Sequence, residues 1–142
     1  MWWRRRGLNN VKNGPVSVGL MRFWIGVGWF GLALLLYLSL TPTPPSFDMQ
    51  YGDKIGHMLA YATLMFWWAQ RWVTVPQRFA LAAGLIGLGI VIEIAQGWTG
   101  WRSFDYADMR ADAAGAVLGW IAAACLPNLL NTLTRLPTGQ SE

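Results

Sequence analysis

The chain has 142 residues, enough for one domain. Hydrophobic residues make up 54%, charged residues only 13%, and tryptophan occurs ten times, a balance that excludes an ordinary soluble domain and fits a small polytopic membrane protein. The formal charge of +4 does not point to nucleic acid: Arg4, Arg5, Arg6, Lys12 and Arg22, five of the eleven basic residues, precede the first apolar run, as in a cytoplasmic flank beside anionic lipid.

Residues 1–20 form a basic tail without apolar periodicity. An all-α fold of four transmembrane helices is expected within residues 21–126, and the first covers residues 21–40, long enough at 1.5 Å per residue to cross a core of about 30 Å. Its hydrophobic run is too long for a signal peptide and no small-x-small cleavage site follows, so an uncleaved anchor is expected. The prolines between Thr41 and Pro45 stop it. A second span covers 53–72, its far end marked as an interface by Trp67, Trp68, Arg71 and Trp72. The third covers 78–96, a polar loop follows to Tyr106, and the fourth covers 108–126 before Pro127. Residues 127–142 are expected as a cytoplasmic tail, interfacial and then disordered. Cys125, the single cysteine, cannot form an internal disulfide and is expected to be a small packing residue.

Basic residues crowd the N-terminal tail and, as Arg71 and Arg78, the turn between the second and third spans. Both termini and that turn are therefore expected in the cytoplasm. This topology brings Asp53, Lys54, His57, Glu93, Gln96, Asp108 and Asp112 to the outer end. Asp53, His57 and Tyr61 are four apart and share a helix face, while Asp108, Asp112, Gly115 and Gly119 form one stripe. The glycines on that stripe should let the fourth span approach the third, which has its own small residues at Ala80, Ala83, Gly84 and Gly87. Acids inside spans are costly, and a site is the default reading of them.

These residues resemble the VanZ-like membrane proteins. The family pattern of Asp-Lys-x-x-His with Tyr four residues on is matched by Asp53, Lys54, His57 and Tyr61. Its Glu-x-x-Gln, loop Arg, Asp and Gly-x-x-x-Gly are matched by Glu93, Gln96, Arg102, Asp108, Gly115 and Gly119. Asp112 departs from the pattern, where the family often has Asn, and adds an acid to the pocket. The resemblance implies a four-span integral protein of the cell (inner) membrane, from a family linked to resistance to the glycopeptide teicoplanin. It implies no particular reaction.

The side chains themselves suggest an outer-leaflet site that binds, or binds and processes, the anionic head of a lipid or lipid-linked cell-envelope precursor. Lys54 and Arg102 would hold phosphate, with Gln96, Tyr61 and Asp108 beside them. His57, oriented by Asp53, would act as acid or base, and Glu93 or Asp112 would position water. Carboxylates with one histidine suit magnesium or manganese, but their spacing is no recognised metal motif, so neither a metal site nor a cofactor is expected. Trp98, Trp101, Phe104 and Tyr106 are expected as an interfacial anchor. Two other readings stand beside this one: a proton-coupled carrier, which at four spans would need a homo-oligomer, and a non-catalytic membrane partner subunit whose charges only pin the bundle together.

Overall fold

The computed structural model describes residues 17–43 and 51–133, and the basic residues at 4–12, the prolines at 44 and 45 and the last nine residues lie outside them. The described residues form helices α1 (Val18–Leu40), α2 (Gly52–Ala69), α3 (Val75–Thr99), α4 (Tyr106–Cys125) and the short α5 (Leu129–Leu133), with no strand among them.

Local chemistry sets the ends. The Ser17 side chain accepts from the Leu20 N–H to open α1, and Thr41, extended ahead of Pro42, closes it. Thr74 and Gln77 make a reciprocal capping box at the start of α3, with Pro76 in its first turn, where the missing N–H costs nothing. Gly100 closes α3 at φ 79°, a left-handed conformation open to glycine at little cost. Asp105 caps α4, which ends at Leu126, extended before Pro127.

Three helical segments are long and apolar enough to cross a membrane: Val18–Leu40, Val75–Thr99 and Tyr106–Leu133, the last taking in α4 and α5. Outward-facing Phe23, Phe30, Phe79, Val91 and Ile121 are all more than half exposed, an apolar surface that lipid covers and water does not. The chain is a membrane protein of helical type. Helix α2 is the exception in composition, with Asp53, Lys54 and His57 in its first two turns, and it is the helix around which the others pack. Tyr61, Met65 and Ala69 on it are at most 1% exposed. It ends at Ala69, three residues short of the expected boundary at Trp72.

Helices consecutive in the chain alternate in direction. Trp24 stacks on Trp67 at 3.7 Å and 6°, each indole N–H donating to the other residue's carbonyl, at 3.3 and 3.0 Å. Four residues further along α1, Gly28 has no room for a Cβ against the Trp68 ring. Trp67 and Trp68 therefore bind α1 to α2 and are not the lipid-facing belt expected from their position; Trp68 is 7% exposed. Cys125 is exposed, in place of the packing role expected of it.

Helices α2 and α4 run parallel and make the most extensive contact in the fold. A Cβ on Gly115 would collide with the Met58 carbonyl, and one on Gly119 with the Ala62 carbonyl. The small-residue stripe thus docks on α2, not on α3 as expected, because it meets the backbone face between Met58 and Ala62. The corresponding set on α3 faces outward: Ala80, Ala83 and Gly84 are exposed, and Cβ atoms on Gly84 and Gly87 would meet nothing.

The end of the bundle opposite the acids is closed by polar side chains spent on backbone carbonyls. Arg78 donates to the carbonyls of Ala69, Trp72 and Ala123, at the C-terminal ends of α2 and α4, where carbonyls lack helical partners and the helix dipole favours a cation. Gln70 accepts from the Leu129 N–H at 2.8 Å while its own carbonyl accepts from Asn128 at 2.7 Å. Residues 128–133 therefore fold back onto the bundle, with Leu130 buried, in the stretch expected to lie at the interface. Arg78→Met, which keeps the stem and removes the donors, should lower stability by about 2 kcal/mol, read as a drop in the thermal unfolding midpoint in detergent.

Candidate functional site

The acids gather at one end, where α2 and α4 begin, α3 ends and the loop at 100–105 crosses. Asp105 organises the crossing. Its Oδ1 accepts from the Ala107 N–H at 2.8 Å and so caps α4. Its Oδ2 lies 2.6 Å from Lys54 Nζ, and its own backbone N–H donates to Glu93 Oε2 at 2.9 Å. The Lys54 ammonium holds the Asp105 carboxyl below its ordinary range, with the Ala107 N–H assisting. This stabilising contribution is present above the ordinary carboxylate pKa of about 3.9 and is lost as pH falls through the lower folded value.

Lys54 also reaches Asp108 Oδ1 at 2.9 Å. Arg102 Nη2 lies 3.0 and 3.2 Å from the two oxygens of Asp53. Each cation expected to hold phosphate is thus already paired with acid, although Arg102 keeps donors beyond the nitrogen that Asp53 engages.

His57 is 8% exposed and its Nδ1 lies 3.0 Å from Asp112 Oδ1. The carboxylate that orients the imidazole is therefore Asp112 and not Asp53. Asp53 precedes His57 by one turn on the same helix, and its side chain goes to the guanidinium above it, whereas the ring turns sideways onto the α4 stripe. The parallel, glycine-mediated approach of α4 to α2 puts Asp112 within reach. Gln96 also differs from expectation: its amide donates to the Ser39 carbonyl at 2.8 Å. With Trp101 donating to Leu40, it satisfies the last carbonyls of α1 and takes a structural place. Trp98, Trp101 and Tyr106 are more than half exposed, as an interfacial anchor requires.

Four buried polar atoms have no hydrogen-bond partner among the described residues: Trp68 Nε1 and, at this end of the bundle, Tyr61 Oη, Glu93 Oε1 and Asp112 Oδ2. Two of them press on Gly89, where a Cβ would stand 2.5 Å from Asp112 Oδ2 and 3.1 Å from Tyr61 Oη. Gly89, not noticed in the sequence, is what allows Asp112 and Tyr61 to lie against α3. Its signal was its place one turn before Glu93, on the same face. A buried helix glycine replaced by alanine normally gains about 1 kcal/mol from propensity. Gly89→Ala should instead lose about 1 kcal/mol through overpacking, and the imidazole N–H resonance of His57 should move as Asp112 is displaced.

A cavity of about 360 Å³ runs along α1 and α2 from Gly31 and Leu64 to Asp53, His57 and Arg102. Leu34, Leu38, Leu59 and Ala60 line its length, so it is apolar for most of its course and polar at one end. At that end a His57 ring nitrogen and one carboxylate oxygen from each of Asp53 and Asp108 all lie within 4.8 Å of one another. Wide sequence separation between Asp108 and the α2 pair hid this grouping. The fold and the site together describe a membrane-embedded helical bundle with a polar cluster at one end of an apolar groove. No family model, curated protein or solved structure matches the chain.

Proposed function

We propose that the chain is a four-span, VanZ-like protein of the cell (inner) membrane with both termini cytoplasmic, and that it holds the anionic head of a lipid or lipid-linked cell-envelope precursor at the outer leaflet. One observation carries the reading: the cavity along α1 and α2 is amphipathic in the way such a molecule is, with a leucine-lined channel ending at Arg102, His57 and Asp53. An acyl or prenyl chain fits the apolar length, and the free donors of Arg102 offer forked contacts to phosphate. Arg22, Arg71 and Arg78 stand at the other end of the bundle, which supports a cytoplasmic placement for that end. The alternating helices support counting α2 as a span, since its 18 residues cover about 27 Å and Asp53, Lys54 and His57 are each bonded to protein groups.

The same geometry suits acid–base work on the bound head. His57 borders the cavity with one nitrogen held by Asp112, which fixes its tautomer and leaves the other nitrogen open to a proton or, when an ion is bound, to the ion.

A proton-coupled carrier has less support. Glu93 and Asp112 are candidates for a relay, but Gln70, Arg78 and Asn128 at the far end are all bonded to backbone groups. Leu64, Met65, Leu85 and Ala116 lie buried between the two ends and offer no polar step.

The test is the phosphate-containing lipid that copurifies with the protein, quantified per chain for the wild type and Arg102→Gln. Retention in the wild type and loss in the variant is expected. Equal amounts in both would remove the head-group reading.

A further inference from the structure

Five carboxyl groups meet at the polar end, those of Asp53, Glu93, Asp105, Asp108 and Asp112, and the cations bonded to them are Lys54 and Arg102. Arg110 nearby is exposed. A carboxyl group held in a membrane bundle is costly unless it is protonated or has positive charge beside it. We propose that Asp53, His57 and Asp108 form a divalent-cation site, for Mg²⁺ or Mn²⁺, that bridges the protein to phosphate. The three ligand atoms, two carboxylate oxygens and one imidazole nitrogen, are within 4.8 Å of one another, as ligands around a single ion are.

Two features beyond the grouping of acids point to the ion. Asp112 holds Nδ1 of His57, which leaves Nε2 as the nitrogen for a metal, and Nε2 has no partner among the described residues although the side chain is 8% exposed. A carboxylate behind a ligating imidazole is the arrangement that fixes its tautomer and raises its basicity. The second feature is position. Asp53 and His57 line the polar end of the cavity, so an ion there keeps coordination sites open toward whatever enters. Three protein ligands leave about three of six octahedral positions for water or phosphate oxygens. Asp108 can ligate through Oδ2 while Oδ1 remains with Lys54.

The bridging role rests on the lipid-head reading above, whereas the ion site itself does not. Mn²⁺ is the probe, added to the full chain in detergent after lipid removal. Pulsed electron paramagnetic resonance of the wild type should show a ¹⁴N coupling from one imidazole, which requires no variant and no lipid. Mg²⁺ should compete for the same site. Asp53→Asn and His57→Gln should each weaken Mn²⁺ binding about tenfold or more, and Asp112→Asn should weaken it by about tenfold through the ring it orients. A spectrum of hydrated Mn²⁺ without nitrogen coupling, or affinity unchanged in Asp53→Asn and His57→Gln, would overturn the site. Mn²⁺ bound through nitrogen by a protein that retains no phosphate lipid would keep the site and remove the lipid reading.

Discussion

Gly119→Leu is expected to prevent the bundle from assembling. At Gly119 a Cβ already overlaps the Ala62 carbonyl and stands 2.8 Å from the Met65 Cβ, and the opposing atoms are backbone and the root of a fully buried side chain. Neither can swing away. The remaining leucine atoms would force α4 off α2 along the contact that also carries Asp112 to His57. Overpacking of this kind costs about 3 kcal/mol, and the loss of helix contact adds to it in a bundle whose association depends on close backbone approach. Gly119→Ala should lose about 1 kcal/mol despite alanine's better helix propensity. Unfolding in mixed detergent micelles reads both, and a Gly119→Ala protein as stable as the wild type would contradict the packing described here.

The His57 and Asp112 pair should behave differently singly and together. Asp112→Leu strands a buried imidazole and His57→Leu strands a buried carboxyl; each should cost about 3 kcal/mol, because breaking one side of a buried pair leaves the other desolvated and unmatched. Replacing both by leucine should recover most of that loss, since apolar residues of similar size commonly substitute for buried ion pairs. Phosphate lipid retention should not recover. A doubly substituted protein that regains stability and still retains the lipid would show that the pair serves packing alone, as the partner-subunit reading requires.

The class of fold was legible because membrane spans announce themselves by length and apolar composition. Spacing also showed that the acids share faces: Asp108, Asp112, Gly115 and Gly119 do form one buried stripe. What spacing lacks is the partner of each face. The stripe could have met α2 or α3, and only packing decides that it meets the Met58–Ala62 backbone. From that choice follows Asp112, in place of Asp53, behind His57, while the stacking of Trp24 on Trp67 draws Trp67 and Trp68 onto α1. Gln96 illustrates a second limit, because its partner is a backbone carbonyl, Ser39, with no trace in side-chain identity. Asp105, by contrast, carries a signal in the sequence itself. An acid directly ahead of an amphiphilic helical run is an N-cap signal, and here the same residue gathers Lys54 and Glu93.

Occupation of the cavity by a lipid tail is tested most directly at Gly56, which lines it and where a Cβ would meet nothing within 4 Å. Gly56→Phe places a ring in the channel beside His57 without disturbing the backbone, and removal of a helix glycine should leave stability equal or raised by up to about 1 kcal/mol. Native mass spectrometry of the wild type should show a bound anionic lipid or polyprenyl phosphate that is absent from the folded Gly56→Phe protein. The same lipid carried equally by both proteins would contradict the assignment of this cavity as the lipid site.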